Sequence, residues 1–265
     1  MTHVELHHDD TVSRVRFQSG TGIQLLSATA RRELGEALAE LESRPECRVA
    51  VFEAEGRTFI AGADIKELQS LDAPSAEAVS RETHALFDRI ETLPAVTMAA
   101  VHAACAGGGF ELALSCDLRF AAAGARIGLP EVTLGLIPGW GGSVRMLRLF
   151  GPAVARKVIL SGELLPAEEA LHLGLVSGVA PDDAFREFVQ QQVESISQRS
   201  PHAVRTVKSL LRELAGVDRA AQFAAEARRF GECYNVPDSR EGIAAFLEKR
   251  AAEWSPPGFG DARPG

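Results

Sequence analysis

Two glutamates beside glycine-rich turns are the side chains of this 265-residue sequence best suited to chemistry. Glu111 directly follows three glycines, and Glu131 follows a Gly-Leu-Pro turn twenty residues later. Both lie among apolar residues, and burial there raises the pKa of a carboxyl group, which suits general acid–base catalysis. The two glutamates cannot share one helix face, but they can meet across a cleft. The alternatives are a helix-start glutamate at 111, favoured by the helix dipole, and an exposed turn glutamate at 131.

Two loops of small residues are the second candidate feature. Residues 61–64 read AGAD and lead toward a helical segment, and residues 107–109 are three glycines that precede another. A small-residue turn lets the backbone approach a ligand closely, and free N–H groups at a helix start attract negative charge. Two such loops can supply two N–H donors to one developing oxyanion, as enolate and acyl-transfer chemistry requires. Each loop taken alone is equally compatible with a plain tight turn.

Better-known glycine motifs do not fit this sequence. A Rossmann fingerprint that starts at Gly107 needs its third glycine where Leu112 stands. A Walker A motif is excluded because no Gly-Lys-Ser/Thr occurs. Ser143 follows Gly141 as in a hydrolase elbow, but Arg145 occupies the position of the second glycine.

Composition and charge narrow the class of protein. The net charge of −8 and the scattered basic residues argue against a nucleic-acid footprint. The short basic pairs at 228–229 and 249–250 are interpreted as solvated helix faces or as local contacts to a phosphorylated ligand. The polar N-terminus lacks a secretory segment, and the apolar stretch 93–105 is too short to span a bilayer. Four cysteines without a CxxC pair predict a cytoplasmic protein with reduced thiols and no metal site.

The elements that must position these residues alternate along the first two-thirds of the chain. Strands are predicted at 12–17, 48–52, 95–101 and 117–123, helices at 29–43, 75–93 and 110–115, and a loop at 56–64. This order predicts an α/β domain with mostly parallel strand pairing. From residue 167 onward the sequence is nearly all helical. Asp238 and Glu241 have capping-box-like spacing at the last helix, and residues 255–265 are expected to be frayed.

Three segments together resemble the crotonase (enoyl-CoA hydratase/isomerase) family. Their order and spacing match those of the family, and they read FIAGADIKE at 59–67, AACAGGGFELALSCD at 103–117 and GLPEVTLGLIPGWGG at 128–142. Residues 241–250 resemble the family's last helix, so the resemblance runs from about residue 12 to residue 254. The motifs are highly specific for the family and less specific for one reaction within it.

The resemblance implies a fold and an assembly. The expected fold is a crotonase-like spiral of ββα units with a helical C-terminal region, in homotrimers or dimers of trimers. Residues 1–200 would form the acyl-CoA-binding catalytic core, and residues 201–265 the helical region that packs in the oligomer.

Catalytic roles follow from the resemblance by position. The backbone N–H groups of Ala63 and Gly108 would form the oxyanion hole for the thioester oxygen. Glu111 and Glu131 match the two glutamates that hydratases use. Gly139 would lie beside the reacting water.

The resemblance also implies contacts to CoA. Ala61 and Ala63 would line the pocket near the adenine through their backbone. Lys66, Phe230 and Lys249 fall where the family contacts the CoA end, although Lys249 is equally compatible with a plain surface lysine. The expected substrate- and CoA-binding residues are Ala61, Ala63, Asp64, Ile65, Lys66, Gly107, Gly108, Trp140, Phe230 and Lys249.

The implied activity is that of an enoyl-CoA hydratase, a lyase that adds water reversibly to a 2-enoyl-CoA. It would use an acyl-CoA thioester as its partner and no metal or redox cofactor, with neither nucleic acid nor membrane involved. A double-bond isomerase, another crotonase-type lyase and a non-catalytic acyl-CoA-binding subunit remain as alternatives.

The sequence departs from the family pattern in three places. Gln24 stands where an Asn is common, and residues 102–103 are His-Ala where Asn-Gly is frequent. Phe110 and Trp140 are bulkier than the small residues common at those positions. The last departure bears on acyl-chain preference, because bulky neighbours reshape the pocket.

Overall fold

The computed structural model describes residues 1–255, and its elements alternate as the sequence predicts. The strands are β1 (Thr2–Asp9), β2 (Val12–Ser19), β3 (Val49–Ala54), β4 (Thr58–Ile60), β5 (Val96–Val101), β6 (Ala104–Ala106), β7 (Leu118–Ala122), β8 (Arg126–Gly128), β9 (Leu165–Pro166) and β10 (Gly178–Ala180). The helices are α1 (Ala28–Glu42), α2 (Ile65–Gln69), α3 (Ala73–Thr92), α4 (Gly108–Ser115), α5 (Gly142–Ser161), α6 (Ala167–His172), α7 (Phe185–Ser197), α8 (Pro201–Glu213), α9 (Arg219–Glu232) and α10 (Asp238–Glu248). Short 3₁₀ helices lie at Glu131–Leu134 and Cys233–Asn235.

The strands form two sheets, and each strand belongs to one of them. The larger has the order β1-β2-β3-β5-β7-β10 and is parallel except for the β1–β2 pair. The smaller has the order β4-β6-β8-β9, with β9 antiparallel. The pairs β3–β4, β5–β6 and β7–β8 each place one strand in each sheet before a helical segment. This repeat is the ββα spiral, so the predicted α/β fold is confirmed.

Helix α1 shows how local signals set an element. The Ser27 hydroxyl accepts a hydrogen bond from the Ala30 N–H and so caps the helix start. Leu34, Leu38 and Leu41 recur at helical spacing and are buried. The predicted helix at 29–43 is therefore confirmed to within one residue at each end.

Strand β3 is buried on both faces, as a parallel sheet between two layers requires. Because side chains alternate along a strand, Ala50 and Phe52 face the main core, which draws on both sheets and on α1, α3, α4 and α5. Val49 and Val51 face a second core on the opposite side of the larger sheet, covered by α7. Every side chain of the apolar run at 49–52 is therefore buried in one of the two cores.

Three local predictions were wrong or incomplete. The predicted loop at 56–64 contains β4, and the helix predicted at 110–115 begins at Gly108. The capping-box prediction was wrong: Asp238 lies inside α10, behind Pro237. Its buried carboxylate accepts the Ser200 hydroxyl and the Ser255 N–H instead. Asp238 therefore anchors the start of α10 to the start of α8.

The C-terminal region, predicted as nearly all helical, consists mainly of helices and includes the short strand β10. The proposed boundary between residues 200 and 201 coincides with the start of α8 and stays a prediction. Of the frayed end predicted at 255–265, residues 256–265 lie outside the described part of the chain. Within residues 1–255, no helix is long and apolar enough to cross a membrane.

Candidate active site

Three strands of the smaller sheet end at one edge and deliver the candidate residues there. β4, β6 and β8 run parallel and adjacent to one another. The segments that follow them therefore leave the sheet at the same edge, and they are residues 61–64, 107–111 and 129–131. The carboxyl ends of parallel strands are where α/β proteins bind ligands. The topology thus assembles segments that are distant in sequence.

The candidate oxyanion donors lie together at this edge. A Cβ added to Gly62 would lie 3.4 Å from the carbonyl oxygen of Ala106, so the loop after β4 contacts the end of β6. Gly108 begins α4, and a helix start leaves its N–H groups without intrahelical partners. Among residues 1–255, neither the Ala63 nor the Gly108 N–H donates to a protein acceptor. Both N–H groups are free for a ligand oxygen, and that role stays a prediction.

Close packing, and not turn geometry alone, requires the glycines of this loop. A Cβ on Gly109 would lie 2.2 Å from the carbonyl oxygen of Ile60. A Cβ on Gly108 would lie 2.4 Å from the Trp140 ring. Gly107 has a φ of 52°, in the left-handed region that glycine tolerates best. The backbone here approaches its neighbours too closely for any side chain.

Glu111 is the buried carboxyl group of the site. Its side chain projects from α4, and the residue is only 2% exposed. Its Oε1 accepts hydrogen bonds from the backbone N–H groups of Trp140 and Gly142, each at 2.8 Å. Burial raises the pKa of Glu111 to about 7, and the charge of Glu131 adds to this while the two N–H donors oppose it. The group therefore exchanges a proton readily near neutral pH.

Glu131 lies across the loop from Glu111. It begins the 3₁₀ helix that follows β8, and its Oε1 would lie 3.0 Å from a Cβ on Gly107. Burial also raises the pKa of Glu131. Its Oε2 is buried without a hydrogen-bond partner in the described part of the chain. A buried carboxyl oxygen without a partner is rare, which indicates a group reserved for a ligand.

A turn at residues 138–142 connects the site to α3. The Gly139 carbonyl accepts the Ser80 hydroxyl, and the Trp140 carbonyl accepts Arg145 Nη1 at 3.1 Å. Arg145 is 7% exposed and also pairs with Asp88 at 2.9 Å. Sequence motifs gave Arg145 no role beyond excluding a hydrolase elbow, and they gave Ser80 none at all. A basic residue three positions into a helix, beside a glycine turn, was the available signal.

The predicted CoA residues fall into two groups. Asp64 caps α2 by accepting the Lys66 N–H at 2.9 Å, and Ile65 and Lys66 are exposed next to the loop that follows β4. Phe230 is 67% exposed on α9 and packs against Tyr234. The structure brings the first group to the site edge but places Phe230 in the C-terminal region.

Lys249 is also in the C-terminal region. It ends α10 in a left-handed conformation and is exposed. Ala61, in contrast, lies at the site edge, where its N–H donates to the Gln24 carbonyl at 2.8 Å. Its carbonyl and methyl groups are therefore what it can offer to a ligand. The roles of these residues toward CoA stay predictions.

A spiral of ββα units with one buried and one half-buried glutamate and free N–H groups at one strand edge defines the crotonase class of proteins. The chain belongs to the enoyl-CoA hydratase/isomerase family, whose model matches residues 7–257. It is 40% identical over 231 residues to a Bacillus subtilis protein named "Probable enoyl-CoA hydratase", covering 86% of this chain and 90% of that protein.

Two further matches, one to a sequence and one to a solved structure, cover nearly the whole chain. The chain is 31% identical to the short-chain-enoyl-CoA hydratase of Clostridium acetobutylicum, covering 96% of this chain and 97% of that protein. The crystal structure of an enoyl-CoA hydratase from Bacillus anthracis superposes with a TM-score of 0.89 at 30% identity. That match covers 95% of this chain and 98% of the other.

Proposed function

We propose that the protein is an enoyl-CoA hydratase that adds water reversibly across the double bond of a 2-enoyl-CoA and forms a 3-hydroxyacyl-CoA. The observation that carries the proposal is the pair of neighbouring carboxyl groups, Glu111 and Glu131, each with a raised pKa. Relatives named as hydratases support the same reaction.

The mechanism begins with the thioester oxygen on the N–H groups of Ala63 and Gly108. Glu111, with Glu131 helping to hold the water, removes a proton while the water oxygen bonds to C3. The C2–C3 π electrons move toward C1, so negative charge develops on the thioester oxygen, where the two donors stabilise it. Glu131 then gives a proton to C2. One water is added in total, and proton exchange with the next water resets the two glutamates.

The two carboxyl groups suit these opposite steps. Glu111 has one oxygen fixed by two N–H donors, which favours the charged form and leaves the other oxygen for water. Burial also raises the pKa of Glu131, and its Oε2 has no hydrogen-bond partner within residues 1–255, so this oxygen is available to carry and deliver a proton. All proton transfers use these side chains, so the proposed reaction needs no metal or redox cofactor.

The test is the loss of ultraviolet absorbance of the conjugated thioester when the protein meets crotonyl-CoA. We expect turnover with the native chain, and a loss of about 100-fold or more in both Glu111→Gln and Glu131→Gln with binding nearly intact. Glu168→Gln, a change at an exposed glutamate on α6, is the matched control. Full turnover in both site variants would exclude the two-acid mechanism.

Other outcomes separate the alternatives. An isomerase would leave crotonyl-CoA unchanged and convert a 3-enoyl thioester into the conjugated form, with Glu131 as its acid–base group. A non-catalytic subunit would bind every enoyl thioester and convert none.

We also propose that the chain assembles as a homotrimer or homohexamer in the cytoplasm. Exposed apolar side chains on α9 and α10 support assembly, with Phe230, Phe246 and Leu247 exposed by 67%, 82% and 74%. A surface of this kind in one chain indicates an interaction site.

A further inference from the structure

Trp140 lies where the substrate must react. A Cβ added to Gly108 would lie 2.4 and 2.5 Å from Cζ3 and Cε3 of the Trp140 ring, so the ring lies directly on this glycine. The backbone N–H of Trp140 donates to Glu111 at 2.8 Å. One residue therefore touches both the proposed oxyanion donor and the proposed base.

The indole ring is held on several sides. Phe87 meets it edge-on, with the ring centroids 6.4 Å apart at 85°. The Arg31 guanidinium lies 5.2 Å from the Trp140 ring centroid. Aromatic and cation–π contacts of this kind each oppose rotation of the ring. Trp140 is 6% exposed, so it forms a fixed wall and not a mobile flap.

Arg31 is itself fixed in place. Its Nη1 donates to the Leu26 carbonyl at 2.7 Å and lies 3.6 Å from the Glu67 carboxylate. The guanidinium is thereby anchored to the start of α1 and to α2. Arg31 thus connects the Trp140 ring to α1 and to α2, the helix that follows the loop after β4.

The substrate geometry places the acyl chain against this wall. In the proposed reaction the thioester oxygen lies at the Gly108 N–H, and C3 lies at the water held by Glu111. The Trp140 ring lies on Gly108 while its backbone N–H holds Glu111, so the indole borders the proposed reacting centre on the Gly108 side. We propose that Trp140 forms the end wall of the acyl site and makes the protein selective for short-chain 2-enoyl thioesters. This inference rests on the proposed hydratase function.

The first experiment is a comparison of kcat/KM for crotonyl-CoA, hexenoyl-CoA and octenoyl-CoA. A pocket that cannot accept extra methylenes discriminates by about tenfold or more. We expect the native chain to lose at least about tenfold from crotonyl-CoA to octenoyl-CoA, and Trp140→Ala to remove or reverse that loss. Trp140→Phe keeps a smaller aromatic ring and should fold more readily than Trp140→Ala. Its chain-length preference should lie between those of the native chain and Trp140→Ala. Trp254→Phe, at the other tryptophan of the chain, should keep the native profile.

Two results would overturn the inference: a native chain that hydrates all three lengths equally well, or Trp140 variants that keep the native length profile. A native chain that hydrates none of them would instead overturn the proposed function. The wall would then be judged by binding alone.

That binding test uses the tryptophan itself. The chain has two tryptophans, so in Trp254→Phe the tryptophan fluorescence, excited selectively over that of Tyr234, comes from Trp140 only. We expect saturated butyryl-CoA, which cannot be hydrated, to change this emission in a saturable way beyond the change that CoA causes. Equal emission with butyryl-CoA and CoA would show that the acyl group does not touch Trp140.

Discussion

At the edge where β4, β6 and β8 end, charged groups are buried and held by partners inside the chain. Glu111 accepts two backbone N–H groups, and Arg145 pairs with Asp88 while donating to the turn at Trp140. In α9 and α10 the arrangement is reversed. Ion pairs such as Arg250 with Glu241 lie at the surface, and large apolar side chains are exposed.

This difference shows which parts of the structure a single chain determines by itself and which parts depend on a partner. At the site edge each contact is fixed by another residue of the same chain, so its geometry supports a mechanism. The C-terminal helices leave a groove of about 520 Å³ lined mainly by apolar side chains, among them Phe230, Ile243 and Phe246. A face of this kind is expected to be completed by a partner. Phe230 lies on α9 and Lys249 at the end of α10, and not on the segments that carry the glutamates, which fits this view.

The same substitution in the two regions should have opposite effects, and this is the largest effect that we expect. Gly108→Ala pushes a methyl group into the Trp140 ring and displaces a proposed oxyanion donor. We expect a loss of about 100–1,000-fold in kcat, as for removal of one such donor. Gly231→Ala, in α9, meets nothing within 4 Å and should raise stability by up to about 1 kcal/mol.

Crotonyl-CoA turnover and urea unfolding of both variants provide the measurement. Near-native turnover in Gly108→Ala would mean that the loop accommodates a side chain and that this donor is not essential. A destabilised Gly231→Ala would show that the C-terminal helices are packed by something that the single chain does not contain.

The contrast also explains what the sequence could predict. The glutamates and glycines of the site lie in contiguous motifs, so the amino-acid sequence alone is enough to identify residues 107–111 as candidates. The three-residue strands β4, β6 and β8 were not predicted as such, because so short a segment carries no clear period of two. Their pairing brings the site together, and that pairing is non-local. The core helices α1 and α3 were predicted well because their apolar stripes are long and repeat regularly.

Two further residues show the same limit. Asp238 has a capping-box spacing, yet it serves as a buried anchor for Ser200, because a tertiary partner overrides the local preference. Arg145 holds the site turn through bonds to α3, more than fifty residues earlier in the chain. Neither partner is near in sequence, so no local pattern identifies the partner of either residue.

A second prediction concerns pH and the burial of Glu111. Its pKa is raised from 4.5 to about 7 in the folded chain. Between these values the unfolded chain releases a proton that the folded chain retains, so stability falls as pH rises. The shift corresponds to roughly 3 kcal/mol. Glu111→Gln lacks this titration. Its free energy of unfolding, relative to that of the native chain, should therefore increase by roughly 3 kcal/mol between about pH 4.5 and about pH 8.

Urea unfolding of the native chain and Glu111→Gln at the two pH values measures this change. Glu168→Gln is the control, because its exposed carboxylate should leave the pH dependence of the native chain unchanged. A stability difference between Glu111→Gln and the native chain that does not vary with pH would show that Glu111 has an ordinary pKa. Water would then reach the Glu111 carboxyl group more easily than its burial indicates.

The smallest effect on the stability of a single chain is expected in α10. Phe246 is 82% exposed, so Phe246→Asp should change the free energy of unfolding of one chain by only about 0.5 kcal/mol. If α10 packs against a neighbouring subunit, the same change buries an unpaired charge at the interface and should release monomers. Light scattering after size-exclusion chromatography gives the mass, with Leu160→Asp on α5 as the exposed control. A native trimer or hexamer that survives Phe246→Asp would place the interface elsewhere, and α10 would then be an exposed apolar helix without a structural partner.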